Sequence, residues 1–137
     1  MVAKTYQILV VDDEPHLRNG LRRVLEMEGF SVATASDGDM ALKIAGEQEP
    51  DIAILDIMMP GMNGRELCQR LREISKNIQI IYLTARAEPT GHEKSSVLRN
   101  EANALISKPA TSKQILTKVN SILRHTGAYR EKTPSPR

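Results

Sequence analysis

Four short apolar runs in this chain of 137 residues end in polar side chains that could do chemistry together. Val11 is followed by Asp12 and Asp13, Leu55 by Asp56, Leu83 by Thr84, and Ile106-Ser107 by Lys108 and Pro109. If the first and third runs are neighbours in space, three carboxylates converge. Anions that close repel strongly at low effective dielectric, so one must protonate or a cation must bind. Ligation by oxygen alone, without Cys or His, favours a hard divalent ion, Mg²⁺ or Mn²⁺. Three carboxylates and the Lys108 ammonium leave two negative charges, which one such ion neutralises. A pocket of this kind holds a cation and then accepts an anion. Each residue alone has an ordinary explanation: Asp12 or Asp13 as the N-cap of a helix, Thr84 or Asn63 as a turn or cap, Lys108 as a surface lysine. Their joint occurrence at successive run ends is what carries the chemical reading.

Positioning these groups requires a scaffold, and the hydrophobic pattern supplies one. Aliphatic and β-branched runs at Gln7 to Val11, Ser31 to Ala35, Ile52 to Leu55, Ile78 to Leu83 and Ala104 to Ile106 read as strands. Helical patterns lie between them. The first starts at Pro15, carries Leu17, Leu21, Val24 and Leu25 on one face, and stops at Gly29. The second follows Asp37 and ends near Gly46; the third follows Asn63 and places Leu67, Cys68 and Leu71 inward. The last follows Thr111 with Ile115, Val119, Ile122 and Leu123. Between His92 and Asn100 the apolar stripe is thin, only Val97 and Leu98, so the helix expected there is the least stable element. Strands that each return through a helix predict a doubly wound α/β fold, a five-stranded parallel sheet with helices on both faces. In such sheets ligands bind beyond the carboxyl ends of the strands, where the strand order reverses. The polar residues stand at those ends.

Composition agrees with one ordinary domain: 40% hydrophobic, 26% charged and net charge +2. The basic residues Arg124, Arg130, Lys132 and Arg137 crowd the C-terminus against Glu131, leaving the body near neutral. Residues 1–124 are therefore expected to form the domain and 125–137 a basic, Pro-containing tail or linker. A neutral body without a clustered basic face predicts no nucleic-acid binding within this chain. The single cysteine predicts a reducing compartment, and the first apolar run is too short for a membrane span or leader, so a cytoplasmic location is expected. His16, His92 and His125 have no metal-ligand spacing.

The segments Val10-Val11-Asp12-Asp13-Glu14-Pro15, Leu55-Asp56-Ile57-Met58-Met59-Pro60-Gly61-Met62-Asn63-Gly64, Thr84-Ala85-Arg86 and Lys108-Pro109 together resemble the receiver domain of two-component response regulators. The likeness runs in order across residues 6–124. It implies a flavodoxin-like sheet of order 2-1-3-4-5 and a phosphorylation-switched signalling module. It also implies that Asp56 accepts a phosphoryl group from a phosphohistidine on a sensor histidine kinase or phosphotransfer protein. By the same resemblance Asp13, Asp56 and the Met58 backbone carbonyl ligate Mg²⁺ (or Mn²⁺), and Asp12 supports the ion through water. Lys108 offsets phosphoryl charge, Thr84 moves its hydroxyl to the attached group, and Pro109 follows a cis peptide. The side chains of Met58 and Arg86 border the route of the hydrolytic water, and two long side chains there predict a phosphorylated state lasting minutes or more.

Several positions depart from the family pattern. Leu105 stands where a switch Tyr or Phe is usual, Ala110 where a bulky residue follows the Lys-Pro pair, and Glu101-Ala102 where Gly-Ala is common. These leave the acidic site intact but question how the signal leaves it. A constitutive, switch-deficient binding module of the same fold is the alternative that Leu105 and Ala110 favour. An aspartyl-nucleophile phosphatase would need a carboxylate two residues after the nucleophile, where this chain has Met58. The expected module is thus no enzyme beyond its own phosphotransfer and autodephosphorylation. Its output passes to an unidentified downstream protein or to an output domain missing from this chain.

Overall fold

The computed structural model describes residues 5–84 and 101–125. Its strands are β1 (Gln7–Val11), β2 (Ser31–Ala35), β3 (Ile52–Asp56), β4 (Gln79–Thr84) and β5 (Ala104–Ser107). Its helices are α1 (Pro15–Met27), α2 (Gly38–Gln48), α3 (Gly64–Ile74) and α4 (Ser112–His125). All strand pairs are parallel, as the pattern predicts, and the order is β2-β1-β3-β4-β5, as the resemblance implies. The expected helix between His92 and Asn100 lies outside the described residues, as do Arg86 and the tail beyond His125.

Two apolar layers flank the sheet. Alternate strand residues Leu9, Val11, Ala53, Leu55, Ile80 and Tyr82 pack toward α2 and α3. Their neighbours Ile8, Val10, Ile52, Ile54, Ile81 and Leu83 pack toward α1 and α4. Every residue of β3 is buried because both its faces are covered, so its sequence is apolar without alternation. Cys68 is buried, as its place on the helix face predicts. Among the described residues no helix is long and apolar enough to cross a membrane.

The helix ends correct the sequence reading in two places. Neither Asp12 nor Asp13 caps α1: the Glu14 carboxylate accepts the N–H of His16 at 2.7 Å and of Leu17 at 3.1 Å. Those hydrogen bonds, with Leu17 first, lower the Glu14 pKa. The Glu14 side chain, nearest Pro15, reaches both N–H groups, while Asp12 Oδ1 accepts the N–H of Glu14 itself just before the helix. The helix α2 passes Gly46 and ends after Gln48, with Glu49 at φ 51°. The stop is Pro50, which bars the right-handed helical region to the residue before it. Other signals act as expected. Gly29 takes φ 95° and its N–H closes α1 on Glu26 O at 3.0 Å. Asp37 caps α2, Asn63 caps α3, and Thr111 exchanges hydrogen bonds with Gln114 at the start of α4. Strands β1 and β2 end where the pattern puts them, while β3, β4 and β5 run one residue further at their carboxyl ends, so Asp56, Thr84 and Ser107 lie within them.

Candidate functional site

Parallel pairing brings β1 and β3 side by side, with Val11 opposite Leu55, so Asp12 and Asp56 leave the sheet at neighbouring points. A carboxylate oxygen from each of Asp12, Asp13 and Asp56 lies within 4.8 Å of the others. Asp12 and Asp56 are buried and Asp13 is exposed. The backbone fixes two of them further. Asp12 Oδ1 accepts the Glu14 N–H at 2.8 Å, its carbonyl accepts from Arg18 Nη1 at 2.8 Å, and Asp56 Oδ1 accepts the Met58 N–H at 3.1 Å.

Lys108 closes the cluster. Its Nζ lies 3.1 Å from Asp12 Oδ2 and 3.2 Å from Asp56 Oδ2, and the peptide to Pro109 is cis. Thr84 ends β4 opposite Ser107, is buried, and its carbonyl accepts the Lys108 N–H at 2.7 Å. The five residues singled out at the strand ends thus meet at one edge of the sheet. The Met58 side chain, two residues after Asp56, is 71% exposed.

Electrostatics follow from this crowding. Burial, then the charge of Asp12, raises the Asp56 pKa against the opposing pull of Lys108. For Lys108, burial disfavours the ammonium, but the Asp12 and Asp56 carboxylates outweigh it and the pKa rises. The buried Asp12 Oδ2 makes no well-aligned hydrogen bond among the described residues and faces only charge. An all-oxygen trio in which two buried carboxylates share one ammonium fits a hard divalent cation. Such a cation would remove the repulsion between them.

A neighbouring set of polar side chains escaped the sequence reading. The Glu101 carboxylate accepts from Arg65 Nε and from the Tyr82 hydroxyl, although position 101 entered the sequence reading only as a departure from Gly. The available signals were a carboxylate in place of a small residue and a lone tyrosine in an aliphatic strand; neither names its partner.

Comparison with known proteins agrees with this geometry. A family model, the response regulator receiver domain, matches residues 8–120. The response regulator MprA of Mycolicibacterium vanbaalenii is 38% identical over 120 residues, covering 88% of this chain and 51% of that protein. MprA of Mycobacterium leprae is 37% identical over 120 residues, covering 88% and 52%. The chain thus spans about half the length of these relatives. Among solved structures, response regulator TrrA of Thermotoga maritima, in complex with Mg²⁺-BeF, superposes with TM-score 0.75 at 36% identity, covering 87% of this chain and all 100% of that one. The chemotaxis protein CheY4 of Vibrio cholerae gives TM-score 0.79 at 29% identity, covering 88% and 100%. Receiver domains of this kind bind Mg²⁺ at an acidic pocket and are not a family of catalytic enzymes. With three carboxylates, a threonine and a lysine gathered at the sheet edge and the family model spanning nearly the whole body, the chain belongs to the receiver domains of two-component response regulators.

Proposed function

We propose that Asp56 is the phosphoacceptor of a switch driven by a phosphohistidine on a sensor histidine kinase or phosphotransfer protein. The observation that carries this reading is the meeting of Asp12, Asp13 and Asp56 with the Lys108 ammonium at the carboxyl ends of β1, β3 and β5. An Asp56 carboxylate oxygen attacks phosphorus, the P–O bond forms as the P–N bond breaks, and the electron pair leaves on the imidazole nitrogen. Asp56 ends a buried strand and is held by Met58 N–H, so little reorganisation precedes attack. Asp12, Asp13, Asp56 and the Met58 carbonyl would hold Mg²⁺ (or Mn²⁺), which when bound neutralises charge on the phosphoryl oxygens. Lys108, freed from one carboxylate, pairs with the incoming anion, and Thr84 brings its hydroxyl to it. The Mg²⁺-BeF complex of the Thermotoga relative supports the assignment.

The module turns over no external substrate; it catalyses its own phosphotransfer and slow autodephosphorylation. Met58 lies where a phosphatase would need a second carboxylate. The exposed Met58 side chain, two residues after Asp56, would shield the acyl phosphate from water; Arg86 lies outside the described residues. The module works in the cytoplasm without nucleic acid or membrane of its own, and passes its state to a downstream protein or an output domain. Half coverage of the MprA relatives supports the latter.

Incubation with Mg²⁺ and acetyl phosphate, read by intact mass, tests this. The parent protein is expected to gain one phosphoryl group, retained for minutes after donor removal, while Asp56→Asn gains none and chelator suppresses the gain. No gain in the parent would instead favour the constitutive module, the reading that the aliphatic Leu105 supports.

A further inference from the structure

The polar cluster around Glu101 joins the first turn of α3 to β4. Glu101 stands just before β5, and its carboxylate takes Arg65 Nε at 2.9 and 3.2 Å, a further contact from Arg65 Nη2, and the Tyr82 hydroxyl at 3.0 Å. Its carbonyl accepts from Arg72 Nη2 at 3.1 Å. These groups border a cavity of about 980 Å³ between α3 and the β4–β5 edge.

Each end of the cluster reaches the acidic site through rigid backbone. Arg65 follows Gly64, whose N–H bonds Ile57 O at 3.0 Å and whose α-carbon presses on the acceptor strand so closely that an added Cβ would sit 2.5 Å from Asp56 O. Tyr82 is fully buried on β4, two residues before Thr84 and on the same face of the sheet. A closed ring therefore runs from the Asp56 backbone through the first turn of α3, across Glu101, to the strand that carries Thr84. Tyr82 is also the register partner of Leu105, so an aromatic ring stands one strand away from the position where the family pattern has one. Its hydroxyl gives it a polar tether that Leu105 lacks.

We propose that Glu101, Arg65 and Tyr82 form a polar bracket through which occupancy of Asp56 and the shift of Thr84 are transmitted to the α3 side of the molecule. All three are positioning residues, and the proposal rests on the phosphoacceptor reading of Asp56. A bond that served stability alone would be indifferent to the state of Asp56; this one changes geometry when β4 and the start of α3 move relative to each other.

The test records amide and Arg Nε–H spectra of the full chain with Mg²⁺, before and after addition of beryllofluoride, for the parent, Tyr82→Phe and Glu101→Gln. In the parent, signals of Thr84, Arg65 Nε–H and Glu101 are expected to shift together. In Tyr82→Phe, which removes only the hydroxyl, the Thr84 shift and acetyl phosphate labelling persist while the Arg65 and Glu101 shifts fall by about half or more. Should Tyr82→Phe not fold, Glu101→Gln carries the same comparison. Arg65 and Glu101 signals that stay still in the parent while Thr84 responds, or that shift equally in the variants, would overturn the bracket alone. A parent that neither labels nor responds at Thr84 would overturn the phosphoacceptor reading and the bracket with it.

Discussion

At the scale of single residues, Lys108 holds the unloaded site together. Its ammonium is shared between Asp12 and Asp56 at 3.1 and 3.2 Å, and it is the positive charge seen against those two buried carboxylates among the described residues. A divalent ion and the lysine therefore compete for the same negative field. Lys108→Ala is expected to lower thermal stability without metal and to enlarge the rise in melting temperature that Mg²⁺ produces. Apparent Mg²⁺ affinity should strengthen on the order of tenfold, because the carboxylates no longer share a charge. Unchanged or weaker Mg²⁺ binding by calorimetry would show that the ammonium does not oppose the ion. The same variant should label poorly despite its tighter metal, since one cation cannot cover all the phosphoryl oxygens.

At the scale of elements, the close seat of α3 on β3 fixes where Asp56 points. Gly64 is the contact: a Cβ would meet Asp56 O at 2.5 Å and Ile57 Cα at 2.7 Å, both backbone atoms that cannot swing aside. Gly64→Ala is expected to cost about 1–3 kcal/mol by overpacking. It should also slow labelling by acetyl phosphate, because relief of the clash moves the acceptor strand end. Gly46→Ala is the contrast. That position lies on an exposed helix surface with nothing within 4 Å, so the change should stabilise by about 0.4–1 kcal/mol and leave labelling alone. Denaturant melts and labelling rates measured on both variants check the pair, and equal effects would remove α3 packing as the cause.

At the scale of the whole molecule, the buried Asp56 and the half-buried Glu101 respond to acid with opposite signs. Hydrogen bonds from Arg65, then Tyr82, hold Glu101 below its ordinary value of 4.5, so its stabilising contribution is present above that value and is lost as pH falls through the folded pKa. Asp56 is raised by burial and by Asp12, so its ionised form carries a penalty at neutral pH that acid relieves. Glu101→Gln is therefore expected to be less stable than the parent at neutral pH, with the gap closing below about pH 4.5. The ion pair is about one-third exposed, 34% and 31% for its two side chains, which holds the neutral-pH gap to about 1 kcal/mol or less. Urea melts at several pH values measure it, and a gap that widens in acid would reverse the assignment. Tyr82 stays protonated throughout, since burial, with Cys68 and Glu101 beside it, raises its pKa.

The parallel sheet and the polar residues at its strand ends were legible in the residues themselves, and the strand order that makes them neighbours came from the resemblance to receiver domains. The sheet and its strand ends depend on short-range signals: apolar runs of strand length, helical faces between them, and polar residues at fixed places after each run. Asp12, Asp56, Thr84 and Lys108 were legible because a parallel sheet sends every strand end to the same edge. Which carboxylate caps α1 and where α2 passes Gly46 became plain only in the structure, though both turn on nearby residues; that Glu101 joins Arg65 of α3 and Tyr82 of β4 is a tertiary outcome. The cap and the stop are choices among several capable side chains or signals made within a turn or two, whereas the Glu101 contacts are settled by distances between segments far apart in the chain. A lone carboxylate or tyrosine in the sequence names a capacity for hydrogen bonding; only the packed fold names the partner.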